Sequence, residues 1–203
     1  QLIMVQPLNY LKESPSQTAG PYVHIGCTPN FTGIHGVYET DLGSGPLYNE
    51  KTRGERITIK GRVIDGSGTP LKDAMVEIWQ ADADGFYNSP SETRGKADPN
   101  FFGWGRCPAD MATGEYVFET IKPGRVPHAG RWMAPHVTLW IVARGINIGL
   151  RFPRFTPNVK RLLLLAIPAA ITGGVTLIGK REGNIVTFDI HLQGENETVF
   201  FDI

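Results

Sequence analysis

Apolar and polar residues alternate over several short stretches of this chain, and a helical period is nowhere sustained. In ITIKGRVID, residues 57 to 65, Ile57, Ile59 and Val63 fall on one side, and AMVEIWQAD follows after the turn GSGTPL. Side chains two apart in a strand share a face, so the pattern predicts strands with one side against a core. GEYVFETIKPG and HVTLWIVARG read the same way. NIVTFDIHL sets Val186, Phe188, Ile190 and Leu192 against Thr187, Asp189 and His191, and ETVFFDI closes the series. A polar loop runs from Asp84 to about Arg106, and only residues 157 to 171 could hold a helix of any length. Residues 1–53 are irregular and rich in glycine and proline. The expectation is an all-β chain, an antiparallel β-sandwich with long loops, folded as one domain over residues 1–203.

Composition narrows the function. A chain of 203 residues, 41% hydrophobic, can bury a proper core. Twenty basic and twenty acidic side chains cancel, which gives no electrostatic case for nucleic acid or an anionic membrane. Cys27 and Cys107 lie far apart in no metal-binding pattern and read as reduced structural thiols. The start QLIMVQPLNYLKESPSQ lacks the features of a secretory signal, so the expected location is cytoplasmic. The run Leu162 to Gly179, between Lys160–Arg161 and Lys180–Arg181, has the length of a membrane span. Pro168, Gly173 and Gly174 interrupt it and strand-like sequence follows, so no membrane segment is expected.

The candidate chemistry is sparse. The histidines are His24, His35, His128, His136 and His191, and no two have the i, i+2 or i, i+4 spacing that chelates a metal from one element. His35 lies in a glycine-flanked loop with no partner in view, and His191 falls on the polar side of its strand. APHVTLW places His136, Thr138 and Trp140 on one face, with threonine where a second histidine would complete a pair. Nucleophile elbows, phosphate loops and Cys–His patterns are missing.

A set of stretches in order changes the picture: PSQTAGPYVHIG, GRVIDGSGTPLKDAMVEIWQADADGFY, DPNFFGWGR, TIKPG, APHV, ARGINIGL and GENETVFFDI. Together they resemble the intradiol ring-cleaving dioxygenases over roughly residues 10 to 150 and 178 to 203. The resemblance implies a ferric ion held by two tyrosines and two histidines. The corresponding positions here are Tyr87, Val126, His136 and Thr138. Valine cannot ligate, and a neutral hydroxyl is a poor donor to a hard trivalent ion. Tyr87 and His136 are therefore read as relics of a metal site lost at Val126 and Thr138, with His136 hydrogen-bonded in a vacant pocket.

By the same resemblance, this is the iron-free chain of a hetero-oligomer. Fe(III) would sit on a homologous beta chain, and this chain would line the pocket for 3,4-dihydroxybenzoate and O2. The residues carried over for that role are Thr18, Gly20, Pro21, Tyr22 and Arg144, with residues 1–53 contributing to the subunit interface. Two other readings stand beside it: a stand-alone dioxygenase with an altered metal site, and a β-sandwich binding module. The segment 151–177 is basic and apolar where the family pattern has a strand and a polar, acidic stretch, and no functional residue is assigned there.

Overall fold

A computed structural model describes residues 22–128, 130–143, 146–149, 165–166 and 179–198. The elements are α1 (Val23–Cys27), β1 (Arg56–Ile64), β2 (Met75–Gln80), β3 (Trp104–Pro108), β4 (Glu115–Ile121), β5 (Pro127–His128), β6 (Arg131–Trp132), β7 (His136–Ala143), β8 (Ile146–Gly149), β9 (Leu165–Ala166), β10 (Lys180–Glu182), β11 (Ile185–Thr187) and β12 (Ile190–His191). The first sheet is centred on β1, with β4 antiparallel along one edge and β11 then β12 parallel along the other. The second runs β3–β2–β7–β8, with β9 on β7 at His136 and Val137. β5 and β6 form a short separate hairpin.

The alternation predicts which side chains go inside. Ile57, Ile59, Val63, Phe118, Val186 and Ile190 from the first sheet meet Val76, Ile78, Val137, Leu139 and Ile141 from the second in a single buried cluster. One polar link crosses this core: the Thr120 hydroxyl donates to Gln80 Oε1 at 2.9 Å, and Gln80 Nε2 donates to the Ile121 carbonyl at 2.9 Å. Both side chains are buried, so the link satisfies groups that would otherwise be desolvated without a partner.

The sequence reading needs four corrections. NIVTFDIHL is two strands, because Asp189 turns its carboxylate to the Arg62 N–H at 2.9 Å where a backbone carbonyl would pair. Gly61 lies against this break; a Cβ there would meet the Phe188 carbonyl oxygen at 1.7 Å. The expected polar loop ends earlier, since WGRCP forms β3 despite its lack of alternation, drawn into register by β2. A helix of five residues, α1, stands in the section expected to be irregular. His35 does have a partner, with Nδ1 at 3.2 Å from Asn30 Oδ1. The stretch 157–171 lies outside the described residues apart from Leu165 and Ala166, which are strand. Both cysteines are free. Among the described residues no helix is long and apolar enough to cross a membrane.

Candidate functional site

Two loops at one end of the sandwich create the site. The Asp82 carboxylate, buried just after β2, accepts the N–H groups of Asp84 and Phe86 on one oxygen and that of Asp98 on the other. That closes the turn ADADGF, whose Gly85 has a φ of 86°, a conformation open to glycine at little cost. After β4 the chain passes Lys122, Pro123 and Gly124, and the Gly124 N–H donates to the Asp82 carbonyl at 2.7 Å. The two turns touch backbone to backbone. A Cβ on Gly85 would lie 2.1 Å from the Arg125 carbonyl oxygen, and one on Gly124 would lie 2.4 Å from the Gly85 nitrogen. Tyr87 and Val126 are thereby brought to the same cavity, about 360 Å³ in volume.

Trp79 of β2 lines this cavity, and the neighbouring strand β7 brings His136 to Tyr87. Inward residues of β7 feed the core, while His136, Thr138 and Trp140 face the other way, as the period of two requires. Thr138 pairs in register with Trp79, whose ring is stacked on Tyr87 at a centroid distance of 5.9 Å and an interplanar angle of 7°. The Tyr87 hydroxyl is 3.3 Å from His136 Nε2. His136 Nδ1 is 2.7 Å from the Ala134 carbonyl, so the Nδ1–H tautomer donates there and leaves the Nε2 lone pair toward Tyr87. A backbone carbonyl gripping the far nitrogen is also how metal-binding histidines are commonly oriented.

The electrostatics are those of a neutral pair. Burial pushes the Tyr87 phenol up to about 12, with Arg94 opposing and Glu92 adding to the rise. Burial holds the His136 imidazole below its usual range, partly offset by the Ala134 carbonyl. A protonated phenol therefore meets a neutral imidazole near pH 7. Val126 and Thr138, the other two positions the resemblance singles out, carry no phenolate or imidazole. Among the described residues no group of three or more His, Cys, Asp or Glu could hold a metal ion. The donor set does not fit a ferric ion.

Glu92 and Arg94 complete one wall. Arg94 Nε and Nη2 bond the two Glu92 oxygens, and Nη2 also reaches the Gly85 carbonyl at 2.8 Å. Glu92 accepts the Tyr87 N–H at 3.1 Å, so the pair fixes the backbone that carries the phenol. Hydrogen bonds from Arg94 hold the Glu92 carboxyl down to about 2, against the usual 4.5. A carboxyl depressed on folding stabilises the fold fully above its unfolded value and loses that contribution as pH falls through the folded one. Denaturant titrations should accordingly show stability falling from about pH 4.5 toward pH 2, with Arg94→Met flattening that acid limb.

Of the residues assigned to a partner's site, only Tyr22 is among those described; it precedes α1 and is 74% exposed. Thr18, Gly20, Pro21 and Arg144 lie outside the described residues. Strand β7 does run unbroken from His136 to Ala143. Its seven steps span roughly 23 Å at about 3.3 Å per residue, so the chain leaves toward Arg144 from the end opposite His136. Sequence reasoning missed Trp79, Glu92 and Arg94. The alternation in AMVEIWQ does place Trp79 outward beside Glu77, but nothing in the pattern of SPSETRG marks its ion pair.

Residues 28–140 match the family described as Dioxygenase (Dioxygenase_C), more than half of the chain. This chain belongs to the intradiol dioxygenase family. Members of the family are in general non-heme iron enzymes. The chain is 38% identical over 206 residues to the protocatechuate 3,4-dioxygenase alpha chain of Pseudomonas putida, covering 97% of this chain and 99% of that one. It is 42% identical over 106 residues to the beta chain of that enzyme from Burkholderia cepacia, covering 50% and 45%. Catechol 1,2-dioxygenase from Acinetobacter is 18% identical over 80% of this chain and 64% of that one, with a TM-score of 0.47. A match of another kind covers 34 residues, 94% identical to the Rhizobium tropici protein named "Probable lipid II flippase MurJ", 17% of this chain and 6% of that one.

Proposed function

We propose that this chain is the iron-free alpha subunit of a cytoplasmic protocatechuate 3,4-dioxygenase, one domain over residues 1–203 that lines a substrate pocket on a homologous, Fe(III)-bearing beta chain. The observation that carries this reading is the pair of substituted corners. Tyr87 and His136, two of the positions the family resemblance singles out, bond each other, while valine and threonine stand at the other two, 126 and 138. A family member that has lost half its donor set, yet matches alpha chains over nearly its whole length, has a part to play that does not need its own metal.

The assembled enzyme would add O2 to 3,4-dihydroxybenzoate between the hydroxyl-bearing carbons, both oxygen atoms entering 3-carboxy-cis,cis-muconate. This chain's residues bind, orient and exclude water. Arg144 offers a charge-assisted hydrogen bond to the ring carboxylate. Gly20 admits backbone close to the ring, Pro21 stiffens that approach, and Thr18 and Tyr22 add polar contacts, Tyr22 with an apolar body.

The test is to purify the native complex and separate its chains. One iron per pair of unlike chains, retained by the partner, is the expected result; iron on this chain would overturn the reading. In the complex, Arg144→Ala should lower kcat/KM by about 100-fold, the scale of a lost charge-assisted contact in a closed interface, with iron content unchanged. Tyr87→Phe should leave the visible tyrosinate-to-iron band intact.

A further inference from the structure

The cavity of about 360 Å³ beside Tyr87 has a polar wall that the metal positions do not account for. His136 and Thr138 are not among its lining residues, whereas Ser89, Ser91, Thr93 and Arg94 are. Glu92 lines it too, but is closed to a ligand. Its Oε1 accepts the Arg94 N–H at 3.0 Å and Arg94 Nε at 2.9 Å, and its Oε2 accepts Arg94 Nη2 and the Tyr87 N–H. Four donors fill the roughly four lone-pair sites of a carboxylate. The Glu92 side chain is accordingly 6% exposed, against 33% for Arg94.

The groups left over on this wall are donors. Arg94 Nη1 makes no hydrogen bond among the described residues, and neither do the Ser91 and Thr93 hydroxyls. The Ser89 hydroxyl accepts the Ser91 N–H at 3.2 Å and has its own proton to give. The guanidinium is fixed from three sides, by Glu92, by the Gly85 carbonyl at 2.8 Å and by the Phe86 ring, whose centroid is 5.4 Å away. Donors held in place before a ligand arrives cost little ordering entropy on binding.

A wall that gives hydrogen bonds and has no carboxylate lone pair to spare selects an oxyanion. The charges of Glu92 and Arg94 cancel, so a single negative charge meets no net repulsion. The rest of the lining is apolar: Val126 and the rings of Trp79 and Tyr87, which lie within 7° of parallel. The volume falls at the small end of ligand pockets, which run from about 300 to 1,000 Å³. We propose that this cavity is a metal-free binding site for a small aromatic monocarboxylate, its ring against Trp79 and Val126 and its carboxylate on Arg94 Nη1 and the Ser91 and Thr93 hydroxyls. The proposal does not rest on the function proposed above, which puts substrate in a pocket on the partner chain. This is a second site, carried by this chain alone.

Calorimetric titration of the native protein, in whatever assembly it is purified, tests it with benzoate and benzamide as probes. Ser91→Ala/Thr93→Val removes two donors whose oxygens hold nothing else, so the variant should keep the parent's melting temperature. Benzoate should saturate one site per copy of this chain, and the variant should bind it at that site at least about 10-fold more weakly. Benzamide has the same shape but turns an amide N–H toward the donors, and should also bind at least about 10-fold more weakly. A parent without such a site, or one that binds the two probes equally, would overturn the proposal. An undiminished affinity in the variant would do the same, because the benzoate would then sit elsewhere, as in the partner's pocket. A second readout does not depend on how that variant folds. With 5-fluorotryptophan in this chain, benzoate should shift the fluorine resonance that Trp79→Phe removes; an unmoved resonance would sink the assignment.

Discussion

The variant Val126→Tyr/Thr138→His should bind ferric iron and turn red-brown, where the parent chain is expected to do neither. Under the proposed function, Tyr87 and His136 are the two ligand positions that the chain retains. Tyr87 and His136 hold their oxygen and nitrogen 3.3 Å apart, and the Ala134 carbonyl fixes the imidazole tautomer that leaves Nε2 toward the phenol. Val126 lines the same cavity as Tyr87, and Thr138 sits two residues along from His136 on the same side of β7. The cavity of about 360 Å³ has space for a phenol ring in place of valine. Hard trivalent iron favours phenolate and imidazole, and the ion would lower the Tyr87 phenol from about 12 far enough to deprotonate it. Iron analysis should give close to one ion per chain with a visible charge-transfer band, and each single variant should bind weakly or not at all. A colourless double variant that folds normally would mean the four positions do not converge.

Gly85→Ala should cost about 3 kcal/mol or more. Its φ of 86° already penalises any side chain by roughly 1–2 kcal/mol. The added carbon would also lie 2.1 Å from the Arg125 carbonyl oxygen, which cannot move without breaking the contact between the two turns. Gly130→Ala is the control. Its φ is 75°, yet nothing lies within 4 Å of a Cβ there, so only the conformational penalty of about 1 kcal/mol should appear. At roughly 2–4 °C per kcal/mol for a chain of this size, the melting temperatures should drop by about 6–12 °C and 2–4 °C respectively. Equal drops would mean the turns are not in close contact.

The core strands were legible because a period of two is written into ITIKGRVID, MVEIWQ and HVTLWIVA, and burial follows it through the middle of each strand. Strand β3 was not, since WGRCP owes its conformation to pairing with β2, a contact between residues about thirty apart. The split of NIVTFDIHL depends on one aspartate side chain replacing a backbone acceptor, which no periodicity records. For the site, the motif resemblance singled out Tyr87, Val126, His136 and Thr138, and the structure brings Tyr87 and His136 within 3.3 Å of each other. The Glu92–Arg94 wall was invisible, because two charged residues in a polar loop look the same in sequence whether they are solvated or locked together.

The Tyr87–His136 hydrogen bond has a consequence for descent. Removing two ligands from a metal centre would ordinarily leave two buried polar groups unsatisfied, at about 1–3 kcal/mol each. If Tyr87 and His136 are such survivors, as proposed, they satisfy one another, so the fold tolerates the loss and selection has little reason to erase them. Restoring Tyr at 126 or His at 138 singly still leaves an ion one donor short, and the new side chain crowds a pair that was already content. On the proposed reading, reversion thus needs two changes at once, and leaving the iron to a partner chain becomes a ratchet rather than a passing state.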